Sequence, residues 1–239
     1  MVIDFHAHVL PGIDDGAQDI ATSLAILDTE LHDGVDMIIA TPHYYPEEQS
    51  VEDFLAARDK SYTKLIHAAE DKAIPSIKLG AEVYYSPILC NLPNLHDLCI
   101  DGTDYLLLEL PYQELSPKLI DGISKLIYSS NVIPIIAHAE RYLNYTSLES
   151  LEEILEMDVL AQVNASSLAS MSTRKTAIKL IKNNYIHLIG TDVHNLTSRP
   201  PQMKEAEKVL TKKVSKNVFN YFMRNAKMVL ANRDIDEIY

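Results

Sequence analysis

Cysteine is scarce in this chain of 239 residues: only Cys90 and Cys99 occur. Two thiols cannot build the disulfide framework of a small secreted domain, and they point to a reducing compartment, so a cytoplasmic location is expected. Long apolar runs are missing too. No stretch of about 18 apolar residues is present, so no membrane insertion is expected. The sequence does not open on a basic region followed by an apolar stretch, and no secretion signal is expected. Positive charge is in short supply: 21 Lys and Arg face 34 Asp and Glu, a formal net charge of −13. That balance disfavours non-specific binding to nucleic acid or to an anionic membrane. Low-complexity tracts, internal repeats and linkers are absent, so residues 1–239 read as a single domain. The acidic end, Asp234-Ile235-Asp236-Glu237, reads as solvated.

What the chain has is a recurring pattern. Val2-Ile3-Asp4-Phe5 is a short, mostly apolar strand that runs into His6-Ala7-His8. Alternate side chains of an extended segment share a face, so His6 and His8 can reach one ion. Met37-Ile38-Ile39-Ala40 is a second buried strand and runs into Thr41-Pro42-His43. Residues 77–81 end at Glu82, and 105–108 end at Glu109. Residues 131–137 end at His138, with Glu140 and Arg141 close behind, and 185–190 run into Thr191-Asp192-Val193-His194. A further strand over 159–163 leads to Asn164. Helical spacing of apolar residues separates these strands, as in Ile20, Leu24, Leu27 and Leu31 or Leu119, Ile123, Leu126 and Ile127. Ser50 with Asp53, and Thr146 with Glu149, read as capping boxes. Arg199-Pro200-Pro201 introduces two closing helices, with the prolines in the first turn. Seven strand–helix units predict an α/β fold with a mainly parallel sheet, closed into a distorted seven-stranded (β/α) barrel that is TIM-barrel-like.

A barrel gathers the C-terminal ends of its strands on one face. His6, His8, His43, Glu82, Glu109, His138, Asp192 and His194 all stand at such ends, and Asp15 follows in the first loop. Each alone has a plain explanation: a strand-end histidine near solvent, a glutamate paired with lysine, an Asp-Gly turn. Together they read as a metal site. Nine candidates exceed the three protein ligands of one catalytic zinc and suit two or three ions sharing bridging carboxylates. Imidazole and carboxylate without thiolate fit Mn²⁺, Fe or Zn²⁺. Ions about 3.5–4 Å apart generate hydroxide and clamp both oxygens of an in-line displacement. Arg141 and Arg199 stand among the ligands, and a guanidinium fork matches phosphate oxygens. For Tyr44, Tyr45 and Tyr112, beside ligands in loops, ordinary packing is the simpler reading and stacking on a substrate ring the alternative. Cys90 and Cys99 read as structural. Six residues beyond them stand His96 and Tyr105 rather than arginine, so the loop of a cysteine phosphatase is absent.

These motifs together resemble the polymerase and histidinol phosphatase (PHP) family of metal-dependent phosphoesterases. Within it the chain is similar to the bacterial capsule and exopolysaccharide tyrosine-protein phosphatases of the CpsB/YwqE type. The resemblance covers nearly the whole chain. It rests on Asp4-Phe5-His6-Ala7-His8 with Leu10 to Gly16, Ala40-Thr41-Pro42-His43, Gly80-Ala81-Glu82, Glu109, Ala137 to Tyr142, and Asp192-Val193-His194-Asn195 with Arg199-Pro200. It implies a barrel of the PHP type with three metal ions, commonly Mn²⁺. It also implies that His6, His8, Glu82 and Asp192 gather around one ion, with Glu82 able to bridge, while His43, Glu109, His138 and His194 complete the others. Asp15 matches a loop ligand or proton-transfer group, and Arg141 and Arg199 match phosphate-binding arginines. The implied substrate is phosphotyrosine on a bacterial tyrosine kinase that controls capsule or exopolysaccharide synthesis, hydrolysed by direct attack of a metal-bound hydroxide. Three rivals remain: a histidinol-phosphate or other small-molecule phosphatase of the same family, an amidohydrolase, and a non-catalytic binding protein. The second lacks its usual strand-end lysine here, and the arginine pair favours phosphate.

Overall fold

A computed structural model describes residues 1–235; Asp236 and Glu237 of the acidic end lie outside the described residues. Among the described residues nine strands form two parallel sheets. The first has the order β1 (Ile3–Ala7), β2 (Met37–Ala40), β4 (Ser76–Leu79). The second has the order β3 (His43–Tyr44), β5 (Glu82–Tyr84), β6 (Tyr105–Glu109), β7 (Ile133–Ile136), β8 (Leu160–Asn164), β9 (Leu188–Gly190). Every strand pairing is parallel, as the alternation of strands and helices predicts.

The count of seven strands in one sheet is not what the hydrogen bonds draw. Two of the expected strands, over 37–40 and 77–81, are each followed at once by a further short strand. Pro42 has no N–H to continue the ladder, so the chain from Met37 divides into β2 and β3. Its neighbour breaks at Gly80-Ala81, giving β4 and β5. Across the breaks Gly80 N donates to Ala40 O at 2.9 Å and Glu82 N to Pro42 O at 3.0 Å. At the other edge Ala7 bridges Val193 in parallel, and His8 N donates to Val193 O at 3.0 Å.

Most strand residues are buried, β4 being the most open. All five residues of β1, β6 and β8 are buried, as expected where both faces of a parallel sheet are covered. Eight α-helices supply the cover: α1 (Ile20–His32), α2 (Val51–Ala68), α3 (Pro117–Ser129), α4 (Leu148–Leu155), α5 (Ala165–Ala169), α6 (Arg174–Lys182), α7 (Met203–Lys213) and α8 (Val218–Leu230). In α3 the inward face is Ile120, Ile123, Leu126 and Ile127, spaced three and four apart. Burying each such side chain contributes about 1.5–3 kcal/mol. Ser50 caps α2 by accepting from Asp53 N, as read from the sequence. The second capping box is displaced: Ser147 caps α4 by accepting from Ser150 N, while Thr146 Oγ1 accepts from Leu115 N at 3.3 Å. Pro200 and Pro201 precede α7, which starts at Met203, instead of forming its first turn. Helix α5 has too few residues to show a period.

Candidate metal centre

The breaks in the strands serve the site. By starting new strands at His43 and Glu82, the chain sets these two side by side in register on β3 and β5. Tyr84 pairs with Glu109 one strand further on. His6 and His8 come from the end of β1 and just beyond it, and His138 follows β7. Two candidate ligand positions hold left-handed backbone, His138 at φ 32° and Asp192 at φ 55°. Non-glycine residues in that region carry local strain, and such strain clusters at functional sites. Gly190 allows β9 to approach β1: a Cβ there would lie 2.6 Å from His6 Cβ and 2.8 Å from His6 N.

The structure brings all nine expected ligands together. Glu82 Oε2 is the hub, 3.1 Å from His6 Nε2, His8 Nε2 and His43 Nδ1. Glu82 Oε1 accepts from His138 Nε2 at 2.8 Å, and Glu109 Oε1 lies 3.7 Å from the same nitrogen. Asp192 Oδ1 is 3.6 Å from His6 Nε2 and 3.5 Å from His8 Nε2. Asp15 Oδ1 is 3.2 Å from His194 Nε2 and 3.4 Å from His43 Nε2. Among the described residues, donor atoms of eight of the nine fall into three overlapping groups: His6, His8, Glu82 and Asp192; His8, Asp15, His43 and His194; and His43, Glu82 and Glu109. His138 joins none of these and meets the cluster through Glu82 and Glu109.

Three observations fit these groups to cations. First, His6 Nε2 and His8 Nε2 face each other at 3.0 Å. Two nitrogen lone pairs repel at that distance unless a cation or a proton lies between them. Second, Glu82 Oε2, His43 Nδ1 and His194 Nε2 are buried without a hydrogen-bond partner, although buried polar atoms normally have one. Third, ligands bonded at about 2.0–2.2 Å stand about 3.0–3.5 Å from one another around an ion, which is the spacing found here. Electrostatics agree. Burial and the neighbouring Glu82 push the Glu109 carboxyl up to about 7. Burial alone would lower the His8 imidazole, but Asp14 and Glu82 outweigh it and raise it to about 10. Carboxylates this crowded favour added positive charge.

Sequence reading missed the residues that orient the ligands. Asp14 Oδ2 accepts from His8 Nδ1 at 2.7 Å and from His43 N at 3.1 Å, so Asp14 is more than an Asp-Gly turn. Gln162 Oε1 lies 3.3 Å from His6 Nδ1 and accepts from His138 N at 2.8 Å. Its amide donates to Asn164 Oδ1 at 2.9 Å, and Asn164 Nδ2 donates to Asp192 Oδ2 at 2.8 Å. An N–H on His6 Nδ1 leaves the Nε2 lone pair free for a cation. The signal was there: Gln162 and Asn164 are two apart in an otherwise apolar strand, hence on one face. Behind them Asp4 and Glu30 are fully buried, and both carboxyls are pushed up, chiefly by burial. Asp4 accepts from Thr191 N at 2.7 Å.

Arg141 and Arg199 meet on one carboxylate. Each places Nη2 2.7 Å from Asp192 Oδ2. Both line a cavity of about 670 Å³ whose floor holds His43, Glu82, Glu109 and His138. Tyr45, Tyr84, Tyr112 and Tyr145 line it as well. Tyr45 stacks on His43 (5.5 Å, 28°) and Tyr112 on His138 (5.9 Å, 22°). Tyr44 is core, edge-on to Phe54 at 5.2 Å. Cys90 and Cys99 are both free and do not line the cavity.

The scaffold and its strand-end cluster define a parallel α/β protein with a candidate polynuclear centre of imidazoles and carboxylates. Residues 2–231 match the family model described as capsular polysaccharide synthesis, CpsB/CapC, and the chain belongs to that family. The tyrosine-protein phosphatase YwqE of Bacillus subtilis (strain 168) is 30% identical over 244 residues, covering 98% of this chain and 93% of that protein. The tyrosine-protein phosphatase CpsB of Streptococcus agalactiae serotype III is 26% identical, with 98% and 100% covered. Among solved structures, that of YwqE from Bacillus subtilis and CpsB from Streptococcus pneumoniae, described as unique metal-dependent tyrosine phosphatases, superposes with a TM-score of 0.82 at 27% identity, covering 98% and 96%. A histidinol phosphate phosphatase from Lactococcus lactis shares the fold at 14% identity and a TM-score of 0.57, covering 90% and 94%.

Proposed function

We propose that this chain is a metal-dependent protein-tyrosine phosphatase, a phosphoric monoester hydrolase acting on phosphotyrosine of a bacterial tyrosine kinase in capsule or exopolysaccharide synthesis. The observation that carries the reading is the pair Arg141 and Arg199, converging on Asp192 beside a nine-residue donor cluster, five members of which line a cavity together with four tyrosines. Membership of the CpsB/CapC family and the activity named for its relatives supply the substrate class. We read residues 1–239 as one catalytic domain and the two sheets as a distorted seven-stave barrel, each broken strand counting once. We assign the compartment as cytoplasm, in keeping with two free cysteines.

His6, His8, Asp15, His43, Glu82, Glu109, His138, Asp192 and His194 would hold the ions, with Mn²⁺ first choice and three ions the expected number. Such ions supply Lewis acidity and an activated water. The chain's own residues do the rest. Arg141 and Arg199 are about one-third exposed along their side chains, so their forks can bind phosphoryl oxygens while Asp192 holds them. That contact stabilises charge that grows in the transition state. Tyr45 and Tyr112, already stacked on ligands, orient the phenyl ring of the substrate. Asp15, whose side chain is 66% exposed, is the residue we assign to proton transfer at the leaving oxygen. The test is a side-by-side measurement of kcat/KM on a phosphotyrosine peptide and on histidinol phosphate, with Mn²⁺, Fe²⁺ or Zn²⁺ returned to stripped protein. A preference for the peptide supports the reading. Turnover of histidinol phosphate alone keeps the phosphoesterase and replaces the substrate.

A further inference from the structure

The cavity is not bounded the same way all round. Ser166, Ser167, Ser170 and Thr173 line it from α5 and the turn into α6. That turn also faces outward. Met171, Arg174, Lys175, Ile178 and Lys213 line a second, shallower hollow formed by the start of α6 and the end of α7. Ser170 and Thr173 look into the catalytic cavity while their sequence neighbours Met171 and Arg174 look into the hollow, so the two depressions share one wall.

The lining of this hollow carries three cations, Arg174, Lys175 and Lys213, and no acid. Formal charge is −13, yet Lys175, Lys179 and Lys213 are exposed and make no ion pair among the described residues. Lys175 and Lys179 are one turn apart on α6, on the face away from Ala177, Leu180 and Ile181. Arg174 fixes the turn by donating to the carbonyls of Leu168 and Ala169. Met171 is 86% exposed, the most open of the large apolar side chains described. The catalytic cavity itself offers only Arg141 and Arg199 as cations, and both are held by Asp192.

We propose that the α5–α6 turn and the adjoining end of α7 form a docking subsite for the polypeptide that carries the phosphotyrosine. Acidic residues flanking the phosphotyrosine are held by Lys175 and Lys213, and an apolar one covers Met171. The inference rests on the phosphatase reading given above and names the sequence context that reading leaves open. Charge complementarity selects the occupant: unpaired cations beside the mouth of an otherwise acidic protein favour an acidic segment and repel a basic one.

The experiment compares three substrates of the Mn²⁺-loaded protein: free phosphotyrosine, a phosphotyrosine peptide with acidic flanks, and the same peptide with neutral flanks. The acidic peptide should exceed the neutral one in kcat/KM by about tenfold at low salt, and the gap should close at high salt. The double variant K175E/K213E should abolish or invert the gap while hydrolysing free phosphotyrosine at the parental rate, which also shows that it folds. Equal rates on the two peptides, or a preference that survives the double variant, overturns the subsite and leaves the phosphatase standing. Failure of the parent protein on free phosphotyrosine and both peptides overturns the phosphatase reading, and the subsite with it.

Discussion

At the residue scale the candidate ligands are more legible than the groups that aim them. His-x-His and single acids after apolar runs stand out because charged or imidazole side chains seldom follow buried strands six times over. Gln162 and Asp14 do not stand out, since a neutral amide in a strand and an Asp before Asp-Gly have common structural uses. Their importance appears only in the distances to His6, His8 and His138. Replacing Gln162 by Ala should weaken metal binding by roughly 10–100-fold, the usual cost of removing a group that orients a ligating histidine. Competition with a metallochromic chelator measures this, and unchanged affinity would show that Gln162 only fills space.

At the element scale, the apolar strands were legible and their breaks were not. A proline after four apolar residues reads as the end of a strand; that the chain resumes pairing at once, at His43, depends on the neighbouring strand. Helix α5 escaped for lack of length, and the cap of α4 moved one residue because Thr146 is engaged by Leu115. The packing of β9 on β1 yields a prediction. Gly190→Ala should destabilise the protein by about 1–3 kcal/mol, because the new methyl meets His6 backbone that cannot turn aside. Urea denaturation reads this directly. Ahead of β9, His187 Nδ1 accepts from Ala161 N at 3.1 Å, and burial lowers its imidazole to about 4. Its unfolded value is near 6.5, so the unfolded chain binds the extra proton first. Stability from this group is complete above about pH 6.5 and falls as pH drops toward 4. His187→Gln should flatten the decline in the urea midpoint between pH 6.5 and 4 relative to the parent; parallel curves would contradict the assignment.

For the whole molecule, gathering nine donor side chains on one face couples folding to metal. An ion that binds only the folded state stabilises it by about 4 kcal/mol at a thousandfold excess over its Kd. In a chain of this size that corresponds to a rise in Tm of roughly 10 °C. Removing metal with a chelator should therefore lower Tm by that order, and returning Mn²⁺ should restore it. An unchanged Tm would mean that the donors are satisfied without a cation. The alternation of apolar strands and helices made the parallel α/β architecture readable in outline, because the hydrophobic period reports burial locally. The cationic hollow beside the mouth was not readable, since Met171, Lys175 and Lys213 become neighbours only once α6 and α7 are packed.

The central claim is that the cluster and the arginine pair make one phosphoryl-transfer site. The most direct test is phosphate release from a phosphotyrosine peptide by metal-stripped protein, with and without added Mn²⁺, for the parent and for Arg141→Ala. The account predicts no release without metal, full release on adding Mn²⁺, and at least about a 100-fold loss in the variant, with metal binding retained. Release that is indifferent to metal, or undiminished in Arg141→Ala, would contradict it.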